Sequence, residues 1–141
     1  MFHEVANASE LSAEELRRRY DGQLAAVVDE HGVKDVAEDS GVERERAEAI
    51  AEGDSPDLVL EEGAAMLAVS PDEPDAEAIV METRDHLLMG MTTGVLDVEA
   101  VESGIDGAID AREIQQKIEG RLEMTLDELA QLHGYIDSRA R

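Results

Sequence analysis

Apolar residues in this chain recur three and four positions apart, between residues that start and stop helices, and no stretch alternates cleanly with β-branched residues as a half-buried strand does. That periodicity restricts the chain to packed helices. Ser12 and Glu15 make a capping box, each side chain accepting from the other's backbone amide, with Leu11 placed to begin a hydrophobic staple. The helix they open carries Leu16, Tyr20, Leu24, Val27 and Val28 on one face and is capped by Gly32. A helix from Val33 to Ser40 should stop at Gly41, and one from Arg44 to Glu52 at Gly53. Ser55-Pro56-Asp57 should start the next, with proline in its first turn and Leu58, Val59, Leu60 and Leu67 apolar.

Ser70-Pro71-Asp72-Glu73-Pro74 holds two of the three prolines and reads as a linker. Beyond it the spacing predicts a longer helix from Asp75 to Thr92, broken by Gly94. Short helices over 97–103 and 111–119 follow, and a second capping box at Thr125 and Glu128 opens a last helix carrying Leu126, Leu129, Leu132 and Ile136. The expected fold is all-α, compact, with about eight helices.

The two halves repeat. Gly32-Val33-Lys34-Asp35-Val36 returns as Gly94-Val95-Leu96-Asp97-Val98, and Ser40-Gly41-Val42 as Ser103-Gly104-Ile105. Ile50-Ala51-Glu52-Gly53 matches Ile118-Glu119-Gly120, and Leu60-Glu61-Glu62-Gly63-Ala64 matches Leu126-Asp127-Glu128-Leu129-Ala130. Four short matches in one order indicate two related helical units, residues 1–69 and 70–141.

Charge narrows the chemistry. Asp and Glu number 35 against 12 Lys and Arg, a formal charge of -23, which excludes a general basic coat for nucleic acid. An apolar content of 43% is enough for a core, so the acidity does not imply disorder. No cysteine is present, which removes disulfides, thiolate catalysis and Cys-ligated metals. No apolar run reaches the roughly 18 residues of a membrane span and no signal peptide opens the chain, so a cytoplasmic protein is expected. Lys34 and Lys117 are the only lysines. With the dense carboxylates and small aliphatics, this balance resembles proteins of salt-in haloarchaea, where a Debye length of about 3 Å at molar salt screens self-repulsion. The other reading is an acidic protein of an ordinary cell that mimics nucleic acid or sequesters metal.

Ala37, four residues before Gly41, with Val42 following, is the core of a helix-turn-helix: a small residue where helices cross, a glycine in the turn, an aliphatic seal. With the helix ending at Gly53 and the apolar helix after it, residues 22 to 69 resemble the Cro/λ-repressor-like helix-turn-helix family. Residues 85 to 137 resemble it through Ala100, Gly104, Ile105, Ile114 and Gly120. The whole chain is also similar to a family of short, acidic haloarchaeal proteins, a likeness that implies no activity. The resemblance implies that the helix after each turn faces DNA. The first such helix presents Glu43, Arg44, Glu45, Arg46, Glu48 and Glu52, whose carboxylates repel phosphate, so a structural or dimer-forming unit is expected there. The second presents Arg112, Gln115, Gln116, Lys117 and Arg121 against Glu113 and Glu119; arginine and glutamine can bond base edges bidentately. The plainer reading is a solvated face with a Glu113–Lys117 charge pair.

Other patterns point less far. Asp106-Gly107-Ala108-Ile109-Asp110 with Glu113 resembles the later half of an EF-hand loop, but Gly104 stands at an early ligand position and calcium binding is not expected. His3, His31, His86 and His133 show no mutual i, i+4 pair and no zinc string, so surface or packing histidines are expected, with no metal site, no cofactor and no catalytic residues. No nucleophile elbow or phosphate loop occurs, and an enzyme is not expected. Met81, Met89, Met91, Leu87 and Leu88 form a band that serves either as core between the units or as a surface for a protein partner or a second copy. Arg17-Arg18-Arg19 reads as solvated cations paired with nearby glutamates, or as a contact for nucleic acid or an acidic partner. Two functions follow: a haloarchaeal transcription-factor-like protein binding DNA through its second unit, or a non-enzymatic helical interaction module that kept the scaffold and lost DNA. No membrane role is expected.

Overall fold

Both capping boxes form in the computed structural model, which describes residues 1–140; Arg141, the last residue of the expected second unit, lies outside the described residues. The Glu15 amide donates to Ser12 Oγ at 3.1 Å and the Ser12 amide to Glu15 Oε1 at 3.0 Å. Thr125 and Glu128 repeat the exchange at 3.1 and 2.9 Å. Each box contributes about 1 kcal/mol by satisfying amides that a helix start leaves unpaired.

Among the described residues two short 3-10 helices, Phe2–Glu4 and Ala8–Glu10, precede eight α-helices. These are α1 (Ala13–His31), α2 (Val33–Ser40), α3 (Arg44–Ala51), α4 (Leu60–Leu67), α5 (Ala76–Gly94), α6 (Val98–Gly104), α7 (Ala111–Ile118) and α8 (Leu126–Arg139). The fold is all-α; among the described residues the one β-type pairing is an isolated antiparallel bridge between Val59 and Thr125.

Four helices enclose the core: α1 lies against α8, α8 against α5, α5 against α4, and α4 against α1. Their inward faces bury Leu16, Tyr20, Leu24, Leu60, Met66, Ile79, Leu87, Leu129, Leu132 and Ile136. Each fully buried leucine or isoleucine contributes roughly 2 kcal/mol of transfer free energy. The pair α2–α3 packs on α1 and α4 through Val36, Ala47 and Ile50, and α6–α7 packs on α8 and α5 through Val101, Ile114 and Ile118. The buried cluster is continuous across residues 69 and 70. With so few aromatics, Phe2 is placed to count: it is fully buried, edge-on to Tyr20 with ring centroids 5.1 Å apart.

Two boundaries differ from the expected ones. The helix expected from Ser55-Pro56-Asp57 begins only at Leu60, because residues 58–60 are held extended against 124–126. The Leu60 amide donates to the Met124 carbonyl at 2.7 Å and the Leu126 amide to the Leu58 carbonyl at 2.9 Å. Gly94 does not break α5 but is its last residue. A Cβ there would lie 2.9 Å from the Arg139 carbonyl oxygen, so glycine serves the close approach of α8 and the left-handed turn falls on Val95 (φ +53°).

Candidate functional site

Asp110 caps α7, its carboxylate accepting from the Glu113 amide at 2.9 Å, so this acid of the calcium-like string is committed to a helix start. The apolar face of α7 buries Ile114 and Ile118 and leaves Arg112 and Gln115 exposed, with Gln116 half-buried. Lys117 is withdrawn from solvent: its side chain is 11% exposed and its ammonium pairs with Glu128 of α8, not with Glu113. Arg121 is exposed and pairs with Glu119, the carboxylate that Gln115 also approaches at 3.5 Å. Two of the five predicted DNA contacts are therefore neutralised by local carboxylates.

The turns of the two halves are unlike. Gly41 takes φ +75° between α2 and α3, and Val42 is buried behind it, while Ala37 is half-buried on α2. Gly104 closes α6, half-buried Ile105 follows, and the left-handed residues are Asp106 and Gly107. Gly104 faces the Tyr135 ring, to which a Cβ would come within 2.0 Å, whereas Ala100 lies half-buried inside α6. Gly53 and Gly120 both adopt positive φ just past α3 and α7.

Of the three consecutive arginines, Arg17 is not a solvated cation. It is 4% exposed, with Nε on Asp21 at 2.9 Å, one terminal nitrogen on Asp127 at 3.0 Å and the other on the Pro56 carbonyl at 2.5 Å. It ties α1, the segment before α4, and α8 together. Arg18 stays at the surface, paired with Glu14 at 2.7 Å. On the first turn-following helix, Arg46 is likewise drawn inward, onto Glu62 at 2.6 Å and the Asp57 carbonyl at 3.1 Å.

The methionine band of α5 divides. Leu87 is buried and Met91 half-buried, but Met81, Leu88 and Met89 are 57%, 45% and 70% exposed, so most of the band is surface rather than core. Val80, Met81, Leu88 and Ile118 line a groove of about 540 Å³ between α5 and the end of α7, bordered by Glu61, Glu77, Asp85 and Glu119. A second hollow of about 300 Å³, sharing Leu88 and Ile118, extends it toward Met91 and Val98. Arg84 also lines the groove, but its guanidinium is used: Nε donates to the Lys117 carbonyl at 3.1 Å and a terminal nitrogen to Glu61 at 3.3 Å.

The fold also gathers three of the four histidines, which the sequence reading left apart. His133 of α8 is fully buried, and Asp137 stands one helical turn beyond it. Tyr20 Oη lies 2.6 Å from His133 Nδ1, and His133 Nε2 lies 3.1 Å from Asp137 Oδ2 without a properly aligned hydrogen bond. His86 of α5 reaches Asp137 Oδ1 with Nε2 at 2.8 Å, and the His3 ring sits 5.3 Å from that of His86. Burial pushes the Asp137 carboxyl up, but the imidazoles of His133 and His86 outweigh it and hold the group far below the usual carboxylate range. The hydrogen bond to Asp137 raises His86, whereas desolvation and then the neighbouring His86 lower His3. Burial raises the Tyr20 hydroxyl well above its ordinary value. The i, i+4 spacing of His133 and Asp137 was the available sequence signal; His86, 51 residues from Asp137, had none.

The chain belongs to DUF5791, a family of unknown function, whose family model matches residues 16–139. No curated protein and no solved structure matches it.

Proposed function

We propose that this protein is a non-enzymatic helical interaction module that docks a cationic amphipathic helix in the groove between α5 and α7. The observation that carries this reading is the exposure of Met81 and Leu88 in the lining of an apolar groove bordered by four carboxylates. Contiguous apolar surface on so charged a protein is the usual mark of a partner site, and methionine adapts to varied contacts. The apolar floor supplies affinity that salt does not screen, and the carboxylate border selects lysine or arginine over acidic flanks. A second copy fits less well, since its acidic surface would set carboxylates against Glu61, Glu77, Asp85 and Glu119 at contact range, where salt screens least.

The scaffold suits two related units in the helix-turn-helix manner, serving the cytoplasm of a salt-rich haloarchaeal cell. Helices α1 and α5 are both 19 residues long, and each precedes two short helices and a fourth core helix. The paired bonds from Leu60 to Met124 and from Leu126 to Leu58 join equivalent positions of the repeat reciprocally, as a two-fold relation between the units requires. No helix among the described residues is long and apolar enough to cross a membrane. A second reading, DNA contact through α7, rests on the exposure of Arg112 and Gln115 and is weakened by the pairing of Lys117 and Arg121.

Titration of a synthetic leucine–lysine amphipathic peptide, and separately of genomic DNA fragments, into the protein at molar KCl distinguishes the two. Saturable one-to-one peptide binding that perturbs α5 and α7 amides is expected. Leu88→Glu should weaken it about tenfold or more, since a buried leucine is worth roughly 1.5–3 kcal/mol. Peptide binding that ignores Leu88→Glu overturns the docking reading. Saturable DNA binding lost on Arg112→Glu and Gln115→Glu, the two exposed members of that row, replaces it with the DNA reading.

A further inference from the structure

We propose that His86, His133 and Asp137 form a binding site for one divalent transition-metal ion of the zinc type. Three ligand atoms, one from each residue, lie within 4.8 Å of one another at the crossing of α5 and α8. Zinc–nitrogen and zinc–oxygen bonds of about 2.0–2.1 Å set tetrahedral ligand atoms roughly 3.3 Å apart. His86 Nε2 lies 2.8 Å from Asp137 Oδ1 and His133 Nε2 3.1 Å from Oδ2, so one carboxylate already draws both imidazoles to it, and holding a single ion requires the three ligand atoms to contract from within 4.8 Å to that tetrahedral spacing.

A purely structural hydrogen-bond network accounts less well for the geometry. Buried polar atoms nearly always have an aligned partner, yet His133 Nε2 has none while lying beside Asp137. Its other nitrogen is held by Tyr20, the arrangement by which an outer group fixes a liganding imidazole's orientation and tautomer. For an ion to bind, the His133 proton must sit on Nδ1, donated to Tyr20 Oη, which leaves the Nε2 lone pair free for the metal beside Asp137. His86 must likewise present Nε2 unprotonated, so metal takes the place of the proton now shared between His86 and Asp137.

Donor chemistry selects the ion. Two imidazoles and one carboxylate suit zinc and its neighbours, whereas magnesium and calcium prefer all-oxygen sets. The three protein ligands leave the fourth position to water or a further donor. His3, beside His86, is outside the group that shares the 4.8 Å spacing and is assigned no ligand role.

The experiment is titration of the intact protein with Zn²⁺ by calorimetry and with Co²⁺ by visible absorption, at high ionic strength and with excess Mg²⁺ to occupy surface carboxylates. One equivalent is expected to bind, with the visible bands of low-coordinate cobalt. His86→Gln and Asp137→Asn should each weaken binding about a hundredfold or more, beyond the ten- to hundredfold typical of outer-shell changes, while Tyr20→Phe falls within that smaller range. His3→Gln should leave the stoichiometry at one. Circular dichroism confirms that each variant is folded, and His86, its side chain 33% exposed, can be replaced without opening the core. Failure to saturate at one equivalent, or affinity indifferent to both His86→Gln and Asp137→Asn, overturns the proposal.

Discussion

Gly90→Ala sets two effects of opposite sign against each other at the helix crossing that carries the histidine cluster. Gly90 lies in the interior of α5, where alanine is worth about 1 kcal/mol more than glycine in helix propensity. A Cβ at this position, however, would stand 2.5 Å from Cγ2 of Ile136 on α8. Ordinary carbon contacts lie at about 3.5–4.0 Å, so the two helices must part by roughly an ångström or Ile136 must leave its rotamer. Ile136 is fully buried and β-branched, with little freedom at χ1, and overpacking of this kind costs about 1–3 kcal/mol. Overpacking wins. A 2.5 Å contact puts the cost in the upper part of that range, about 2–3 kcal/mol, so the expected net destabilisation is about 1–2 kcal/mol, a fall of roughly 3–8 °C in Tm for a domain of this size.

The same displacement reaches the cluster, because His86 is one turn before Gly90 and Asp137 adjoins Ile136. Separating α5 from α8 lengthens the 2.8 Å contact between His86 and Asp137, so the His86 pKa, now raised by that hydrogen bond, should fall back. Urea denaturation followed by circular dichroism and an NMR titration of His86 check both parts. Ile136→Leu moves the branch away from the new Cβ, so in the double variant it should recover at least about 0.5 kcal/mol beyond additivity. Stabilisation of about 1 kcal/mol by Gly90→Ala, the outcome for an uncrowded helix glycine, would refute the reasoning.

Arg17→Met should destabilise by about 3 kcal/mol in chemical denaturation, because it leaves the nearly buried Asp21 and the Pro56 carbonyl without their cation, whereas Arg18→Met at the surface should change stability by no more than about 0.5 kcal/mol. Val95→Gly should raise stability by about 1 kcal/mol, since a β-branched residue at φ +53° is strained and its side chain is 90% exposed; a lower Tm would show that Val95 makes a contact worth more than that strain. Glu62 gives an acid dependence: burial pushes its carboxyl up, but Arg46 and the Val59 amide prevail and hold it below its ordinary value of 4.5. A depressed folded value means stability that is full above the unfolded value and lost as pH falls through the folded one. Glu62→Gln should therefore cost stability at neutral pH and flatten the decline in acid; equal slopes for the two proteins between pH 5 and about 3 would contradict this.

What the sequence determined by itself is local. Ser12 with Glu15 and Thr125 with Glu128 lie three residues apart, so their capping boxes form from contacts within one turn, and the start of each helix follows. The apolar spacing of α1 and α8 likewise identified the buried faces, because a helix repeats every 3.6 residues wherever it sits. The charge of -23 is a property of the chain alone, though not of any one side chain's surroundings. Tertiary packing decided the rest. The helix after Pro56 starts late because residues 58–60 find backbone partners at 124–126, and the turn after α5 falls on a valine because Gly94 is taken by the Arg139 carbonyl. Lys117 lost its place in a DNA-facing row to Glu128, and Arg17 lost its solvation to Asp21 and Pro56. His3, His86 and His133 met only because α5 and α8 cross at a glycine beside the packed N-terminal turn. Helix formation is governed by neighbours three and four residues away, whereas a site assembled from three separated segments depends on how closely their backbones can approach.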